Sequence, residues 1–167
     1  MPVSVCEEET FKELFFTHSE YLRNFLYYKS GDYNLSEDLV QESFVKLWEN
    51  CAKVGLLKAK SFLFTVANNL FLNKVKHQKI VLEFESRSTK EKEDYDPQYL
   101  LEEKEFRLRL EMAIQELPES QRVVFLMNRI DKKKYKEIAS DLNISVKAVE
   151  KRMHKALQAL RKVHKKV

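Results

Sequence analysis

Residues 135–161 read Tyr-Lys-Glu-Ile-Ala-Ser-Asp-Leu-Asn-Ile-Ser-Val-Lys-Ala-Val-Glu-Lys-Arg-Met-His-Lys-Ala-Leu-Gln-Ala-Leu-Arg, and this stretch decides the fold. Its spacing predicts two helices meeting at a tight turn. Small Ala139 permits close helix contact, and Asn143 can adopt the left-handed conformation that the turn requires. Ile144 and Val149 pack the angle between the helices, and Ser145 caps the second. With Val149, Met153, Ala156, Leu157 and Leu160 turned inward, Lys147, Glu150, Lys151, His154 and Lys155 are left outward near the first turns. On a helix-turn-helix that is where base edges and phosphates are met.

The charge distribution points the same way. Lys and Arg number 30 against 26 Asp and Glu, a net charge of +4. Residues 1–82 carry 10 basic and 10 acidic side chains, residues 83–119 carry 6 and 12, and residues 129–167 carry 13 and 4. A basic block at one end calls for a polyanionic partner, and the acidic middle for a solvated connection that avoids nucleic acid. Within the basic block, Lys132, Lys133, Lys134 and Lys136 read as a solvent-facing run suited to holding phosphates. A flexible ammonium discriminates poorly between bases.

Upstream of this unit the apolar residues also recur at helical spacing. Thr10 and Glu13 read as a capping box for a first helix carrying Phe11, Leu14, Phe15, Leu22, Phe25 and Leu26. Gly31 and Asp32 break it. Ser36 then caps a second helix, with Leu35 stapled onto Val40, and Val40, Phe44, Leu47 and Trp48 form its apolar face. Asp38, Gln41, Glu42 and Glu49 fall away from that stripe. After Gly55 a third helix runs from Ser61 to about His77. Residues 83–99 lack any apolar period and read as a flexible linker. Another helix follows to about Leu117, then one opened by Pro118 and centred on Val123–Met127, which its apolar character places in the interior. The expected architecture is all-α, with two small helical lobes at 1–82 and 100–167 joined by an acidic linker at 83–99.

Composition excludes several classes. Only 2 Gly and 3 Pro are present, too few for a many-stranded sandwich or a Gly-rich phosphate loop. Cys6 and Cys51 have no neighbours at zinc-ligand spacing and read as reduced thiols of a cytoplasmic protein. The N-terminal residues lack a basic start and an apolar run, and no stretch approaches the about 18 apolar residues of a membrane span, so neither secretion nor membrane insertion is expected. His18, His77, His154 and His164 are scattered without metal-site pairing, and no nucleophile elbow occurs. The expectation is a non-enzyme with no cofactor and no metal.

Taken together, the two lobes resemble bacterial sigma factors of the extracytoplasmic-function type, regions two and four of the sigma-70 family. Asp38-Leu-Val-Gln-Glu-Ser-Phe-Val-Lys-Leu-Trp48 is similar to the region-two helix that docks on the clamp helices of the polymerase β′ subunit. The resemblance thus implies a clamp contact at Asp38, Gln41 and Glu42, whose acidic and amide groups suit a basic partner helix. Ser61–Lys76 is similar to the helix that opens and reads the minus-ten element, which implies roles for Asn68, Asn69, Asn73, Lys74 and Lys76. The amides offer donors and acceptors to unstacked bases, and the lysines neutralise phosphates. Asn69 matches the family's Asn, whereas Asn73 stands at a commonly acidic position and Lys76 at a commonly Arg one, departures that bear on promoter choice.

Leu117-Pro-Glu-Ser-Gln-Arg-Val-Val-Phe125 and the helix-turn-helix are similar to region four, which binds the minus-thirty-five element and the β-flap. The family's contacting positions fall at Glu150, Lys151, Arg152, His154 and Lys155. Arg152 is the candidate for a bidentate guanine or phosphate contact. Glu150 either accepts from a cytosine amine or pairs with a neighbouring lysine and sets orientation. The resemblance further implies core RNA polymerase and promoter DNA as partners, together with an anti-sigma factor that is in some cases membrane-bound. One alternative remains beside it: a one-component repressor or activator that binds a palindrome as a symmetric dimer.

Overall fold

A computed structural model describes residues 3–74 and 97–164. Among them lie seven helices: α1 (Glu8–Ser30), α2 (Tyr33–Glu49), α3 (Leu56–Lys74), α4 (Pro97–Glu116), α5 (Glu119–Arg129), α6 (Tyr135–Leu142) and α7 (Val146–His164). Lys76, His77 and most of the expected linker lie outside the described residues. Pro97–Tyr99, counted with that linker from sequence, open α4.

Three of the helix starts differ from expectation. α1 starts at Glu8 with Glu8 and Glu9 complementing its dipole, and Thr10 is buried in its first turn rather than capping it. α1 ends at Gly31, whose φ of 66° places it in the left-handed region and lets its N–H reach the Tyr27 carbonyl. Asp32 caps α2, its carboxylate accepting from Leu35 N at 3.0 Å. Ser36, the expected cap, is buried inside α2 and donates to the Asp32 carbonyl at 2.7 Å. α3 starts directly after Gly55, five residues before Ser61.

Helices α1, α2 and α3 pack against one another around Leu22, Leu26, Leu39, Leu47, Leu63 and Phe64, all fully buried. Each such side chain contributes about 1.5–3 kcal/mol relative to exposure. The expected reduced thiols are instead joined, Cys6 to Cys51, with 5.0 Å between their Cα atoms. The chain before α1 folds back so that Val5 enters the core, which brings Cys6 beside the α2–α3 connection. Spacing along the sequence carries no sign of that approach.

Helices α4 to α7 form a second group in which α7 touches α4, α5 and α6. α5 is its interior, with Val123, Val124, Leu126 and Met127 buried. The two groups also meet, α5 packing on α1 and α6 on α3. Arg122, 3% exposed, donates from Nε to the Tyr28 carbonyl at 2.9 Å and from Nη1 to the carbonyls of both Gln115 and Leu117. Asp131 Oδ1 accepts from Tyr28 at 2.8 Å and from Asn24 at 2.9 Å. Burial pushes the Asp131 carboxyl up, against the two hydrogen bonds that favour its charge, and burial beside that carboxylate raises the Tyr28 phenol.

The basic run after α5 is therefore only partly solvent-facing. Lys132 and Lys134 are exposed, but Lys133 is buried, donating to the equally buried Asp141 and standing over the rings of Tyr21 and Phe64. An ammonium so enclosed neutralises Asp141, not a phosphate. This corrects the reading of all four lysines as a phosphate-holding surface, and its cause is a carboxylate that α6 carries into the junction.

Candidate nucleic-acid interface

The α6–α7 unit is held by its turn. Asn143 adopts φ 52° and ψ 48°, and the N–H of Ile144 reaches back to the Ala139 carbonyl at 3.0 Å. Glu137 accepts from Lys134 N at 2.7 Å, and Ser145 Oγ accepts from Ala148 N at 3.1 Å, so each helix start is satisfied by a side chain. Ile138, Ala139, Val149, Met153, Ala156 and Leu160 are buried between the helices and against α5. Packing thus fixes the rotation of α7 about its axis.

That rotation leaves Lys147, Glu150, Lys151, His154 and Lys155 exposed on the outer face of α7. Arg152 is separated from them. It is half-buried and lines a cleft of about 370 Å³ between the two helix groups, together with Lys29, Asn68, Glu119 and Asp141. On a helix of 3.6 residues per turn Arg152 lies close to the inward Val149 and Met153, a proximity that its charge conceals when residues are sorted by type.

On α3, Asn69, Asn73 and Lys74 are exposed near its C-terminal end. Asn68 is half-buried, and its side-chain carbonyl accepts from Lys29 Nζ at 2.7 Å. Lys29 also pairs with Glu119 of α5 at 2.7 Å. Asn68 and Arg152 are thereby brought to one cleft, away from the residues grouped with each in sequence.

The acidic face of α2 is open. Asp38 and Gln41 are exposed, and Glu42, half-buried, pairs with Lys74 of α3 at 3.2 Å. Val45, 56% exposed, and Trp48, 48% exposed, extend the same face. Val45 went unnoticed in sequence, although it stands four residues after Gln41 and so continues the row. Trp48 leans on Phe11 with ring centroids 5.1 Å apart, whereas Phe44 is buried. Such a face, part acidic and part apolar, suits a helical protein partner with basic groups around an apolar stripe. Among the described residues no group of three or more His, Cys, Asp or Glu is placed to hold a metal ion, and no helix is long and apolar enough to cross a membrane.

Comparison with known proteins gives two family matches in chain order: Sigma-70 region 2 over residues 14–80 and Sigma-70, region 4 over residues 107–160. The chain is 26% identical over 152 residues to the ECF RNA polymerase sigma factor SigE of Mycolicibacterium smegmatis, covering 89% of this chain and 59% of that protein. It is 25% identical over 167 residues to the ECF RNA polymerase sigma factor SigW of Bacillus subtilis, covering 93% of this chain and 89% of that one. Two solved structures share the fold. The sigma factor RpoE from Bartonella quintana, crystallised with the anti-sigma factor NepR, has a TM-score of 0.61 at 19% identity, covering 93% of this chain and 96% of that chain. CnrH, solved with the cytosolic domain of CnrY, has a TM-score of 0.63 at 20% identity, covering 95% and 90%.

Proposed function

The chain belongs to the sigma-70 family, with regions two and four of its extracytoplasmic-function type, and from that membership we propose that it binds core RNA polymerase in the cytoplasm, directs it to one promoter class and assists opening there. The observation that carries this reading is the succession of the two regions along one chain, with an open acidic and apolar face on α2 and an exposed basic face on α7. One face suits a protein partner and the other a polyanion.

In this reading residues 1–82 are the polymerase and minus-ten lobe, residues 83–99 connect, and residues 100–167 are the minus-thirty-five lobe. Asp38, Gln41 and Glu42 grip the clamp helices of β′, with Val45 and Trp48 supplying apolar contact. Asn68, Asn69 and Asn73 take unstacked bases, while Lys74 and Lys76 neutralise the adjoining phosphates. Lys147, Lys151, His154 and Lys155 anchor the upstream duplex, and Arg152 reads or clamps it once it is free of the cleft. Region four also meets the β-flap. The chain itself catalyses nothing, because the polymerase core supplies the phosphoryl-transfer chemistry. Structural relatives held by anti-sigma factors support such a partner here as well.

The test is transcription from a genomic fragment library by purified core polymerase with and without the chain, mapping the start sites. New starts sharing two spaced elements are expected. Asp38→Lys with Glu42→Lys should weaken core binding without unfolding the chain. An absence of new starts, with tight binding of the chain alone to palindromic duplex, would replace the sigma reading by that of a one-component regulator.

A further inference from the structure

We infer that Cys6 and Cys51 form a reversible oxidation site: an oxidant of the hydroperoxide class closes their bridge, a dithiol opens it, and the state of the bridge sets how well the α2 face is formed for polymerase. This deepens the proposed function and rests on it. Cytoplasmic polymerase works where glutathione and thioredoxin keep thiols reduced, and a disulfide formed there is as a rule transient and redox-sensing. Cys6 and Cys51 are each half-buried, so neither is enclosed in the core.

Closure takes two protons and two electrons from the thiol pair. With hydrogen peroxide, one thiolate attacks an oxygen, the O–O bond breaks, and a sulfenic acid and one water are left. The second thiolate attacks that sulfur, the S–O bond breaks, and a second water leaves as the S–S bond forms. A dithiol reverses the change by exchange through a mixed disulfide and is itself oxidised to a disulfide. The fold brings the two Cα atoms to 5.0 Å, within the span that a bridge requires, so the second thiol meets the first without movement of the helices.

The bridge is placed to act on the α2 face. Cys51 follows Trp48 by three residues, and its N–H reaches the Trp48 carbonyl at 3.2 Å. Trp48 packs edge-on against Phe11, whose ring also meets that of Phe44 at 6.0 Å. Phe11 lies one turn into α1, and that helix starts without a side-chain cap at Glu7. The hydrogen bonds from Cys6 N to Ser4 Oγ at 3.2 Å and from Glu7 N to the Ser4 carbonyl at 3.1 Å stay within the preceding segment. Among the described residues, buried Val5 and the bridge tie that segment to the rest. A chain end held by one side chain frays readily. With the bridge open, the first turn of α1 loosens, Phe11 ceases to support Trp48, and the apolar end of the α2 face is lost. Asp38 and Gln41, two turns or more away along α2, keep their places.

The experiment uses the full chain, reduced with dithiothreitol, freed of it under nitrogen and titrated with hydrogen peroxide. Peroxide should remove both thiols within one chain, with the mass falling by two hydrogens, and dithiothreitol should restore them. Trp48 is the only tryptophan of the chain, so its fluorescence reads the end of α2 directly. Its emission should move to the red on reduction while circular dichroism shows the helices kept. Well below either melting temperature, the bridged chain should bind core polymerase about threefold more tightly than the reduced chain, as for a face formed about a third of the time once the bridge is open. Cys6→Ser with Cys51→Ser should match the reduced chain and ignore peroxide. Failure of peroxide to close an intramolecular bridge overturns the site. A bridge that moves the melting temperature but leaves Trp48 emission and polymerase affinity unchanged is structural only, and overturns the control of the α2 face. If neither form binds polymerase, the sigma reading fails and that control falls with it, while the thiol count still decides whether the oxidation site exists.

Discussion

Asp141 on α6 and Lys60 on α3 meet at 2.8 Å across the junction, with the carboxylate 1% exposed and the ammonium 38% exposed. The other oxygen of Asp141 accepts from buried Lys133. One buried carboxylate thus pairs with a lysine of its own helix group and with a lysine of the other. Coulombic attraction in such a site offsets desolvation only while every member is present.

Asp141→Ala should therefore be costly beyond the lost bond, because Lys133 would remain buried without its counter-charge. A loss of about 3–5 kcal/mol is expected in denaturant unfolding. Lys60→Ala, which removes the half-exposed partner, should cost about 1 kcal/mol or less. Equal losses would show that Lys133 finds another partner.

Arg122→Met should lower stability by about 3 kcal/mol, since the guanidinium satisfies three carbonyls at once and Met of similar volume satisfies none. The same chemical denaturation series reads it. A change under about 1 kcal/mol would mean that those carbonyls reach water instead.

The Cys6–Cys51 bridge closes a loop of sequence separation 45. On the chain-entropy account, reduction should destabilise the protein by about 4 kcal/mol. Thermal melts with and without reductant test this, and Cys6→Ser with Cys51→Ser should match the reduced protein. A melt insensitive to reductant in the native chain would place the two cysteines apart.

Lys147→Ala, Lys151→Ala and Lys155→Ala should each weaken binding of the polymerase-bound chain to all promoters alike and reduce the salt slope by about 0.9. Arg152→Ala should instead change promoter preference at one position, at a cost of about 1–3 kcal/mol. An Arg152 effect equal for all sequences would make it a phosphate contact.

Burial, reinforced by Lys60, lowers the pKa of His18 below its ordinary 6.5, against the pull of Asp141. The folded chain therefore prefers neutral His18, and the unfolded chain binds the proton first as pH falls. That stability is fully present above about pH 6.5 and is lost progressively below it, down to the lowered folded value. His18→Gln should flatten this part of the stability profile between pH 7 and pH 5, read by thermal unfolding. Asp131, whose carboxyl is raised by burial, contributes with the opposite sign at lower pH.

Much of the architecture was legible in local pattern. The α6–α7 turn could be read residue by residue because Asn143, Ser145 and the apolar spacing of α7 act within a few positions of one another. The polar part of the open face of α2, Asp38 and Gln41, followed from helical periodicity in the same way, whereas Trp48, expected on the apolar stripe, is 48% exposed. Helix starts were harder, since Asp32 and Ser36 are both competent caps and the choice fell to burial of Ser36 among α1 and α2. The Cys6–Cys51 pairing and the burial of Lys133 left no local trace.

By itself, the sequence determined an all-helical chain ending in a basic helix-turn-helix, because helix periods, caps and charge are properties of neighbouring residues. Tertiary structure alone decided that Lys133 serves Asp141 rather than a phosphate, and that Arg152 and Asn68 share a cleft. It also decided that Tyr28, Asn24 and Lys60 of the first lobe tie down the second. Those outcomes depend on which faces of distant helices meet, and a charge drawn into such a junction is stabilised only by partners that the fold brings to it.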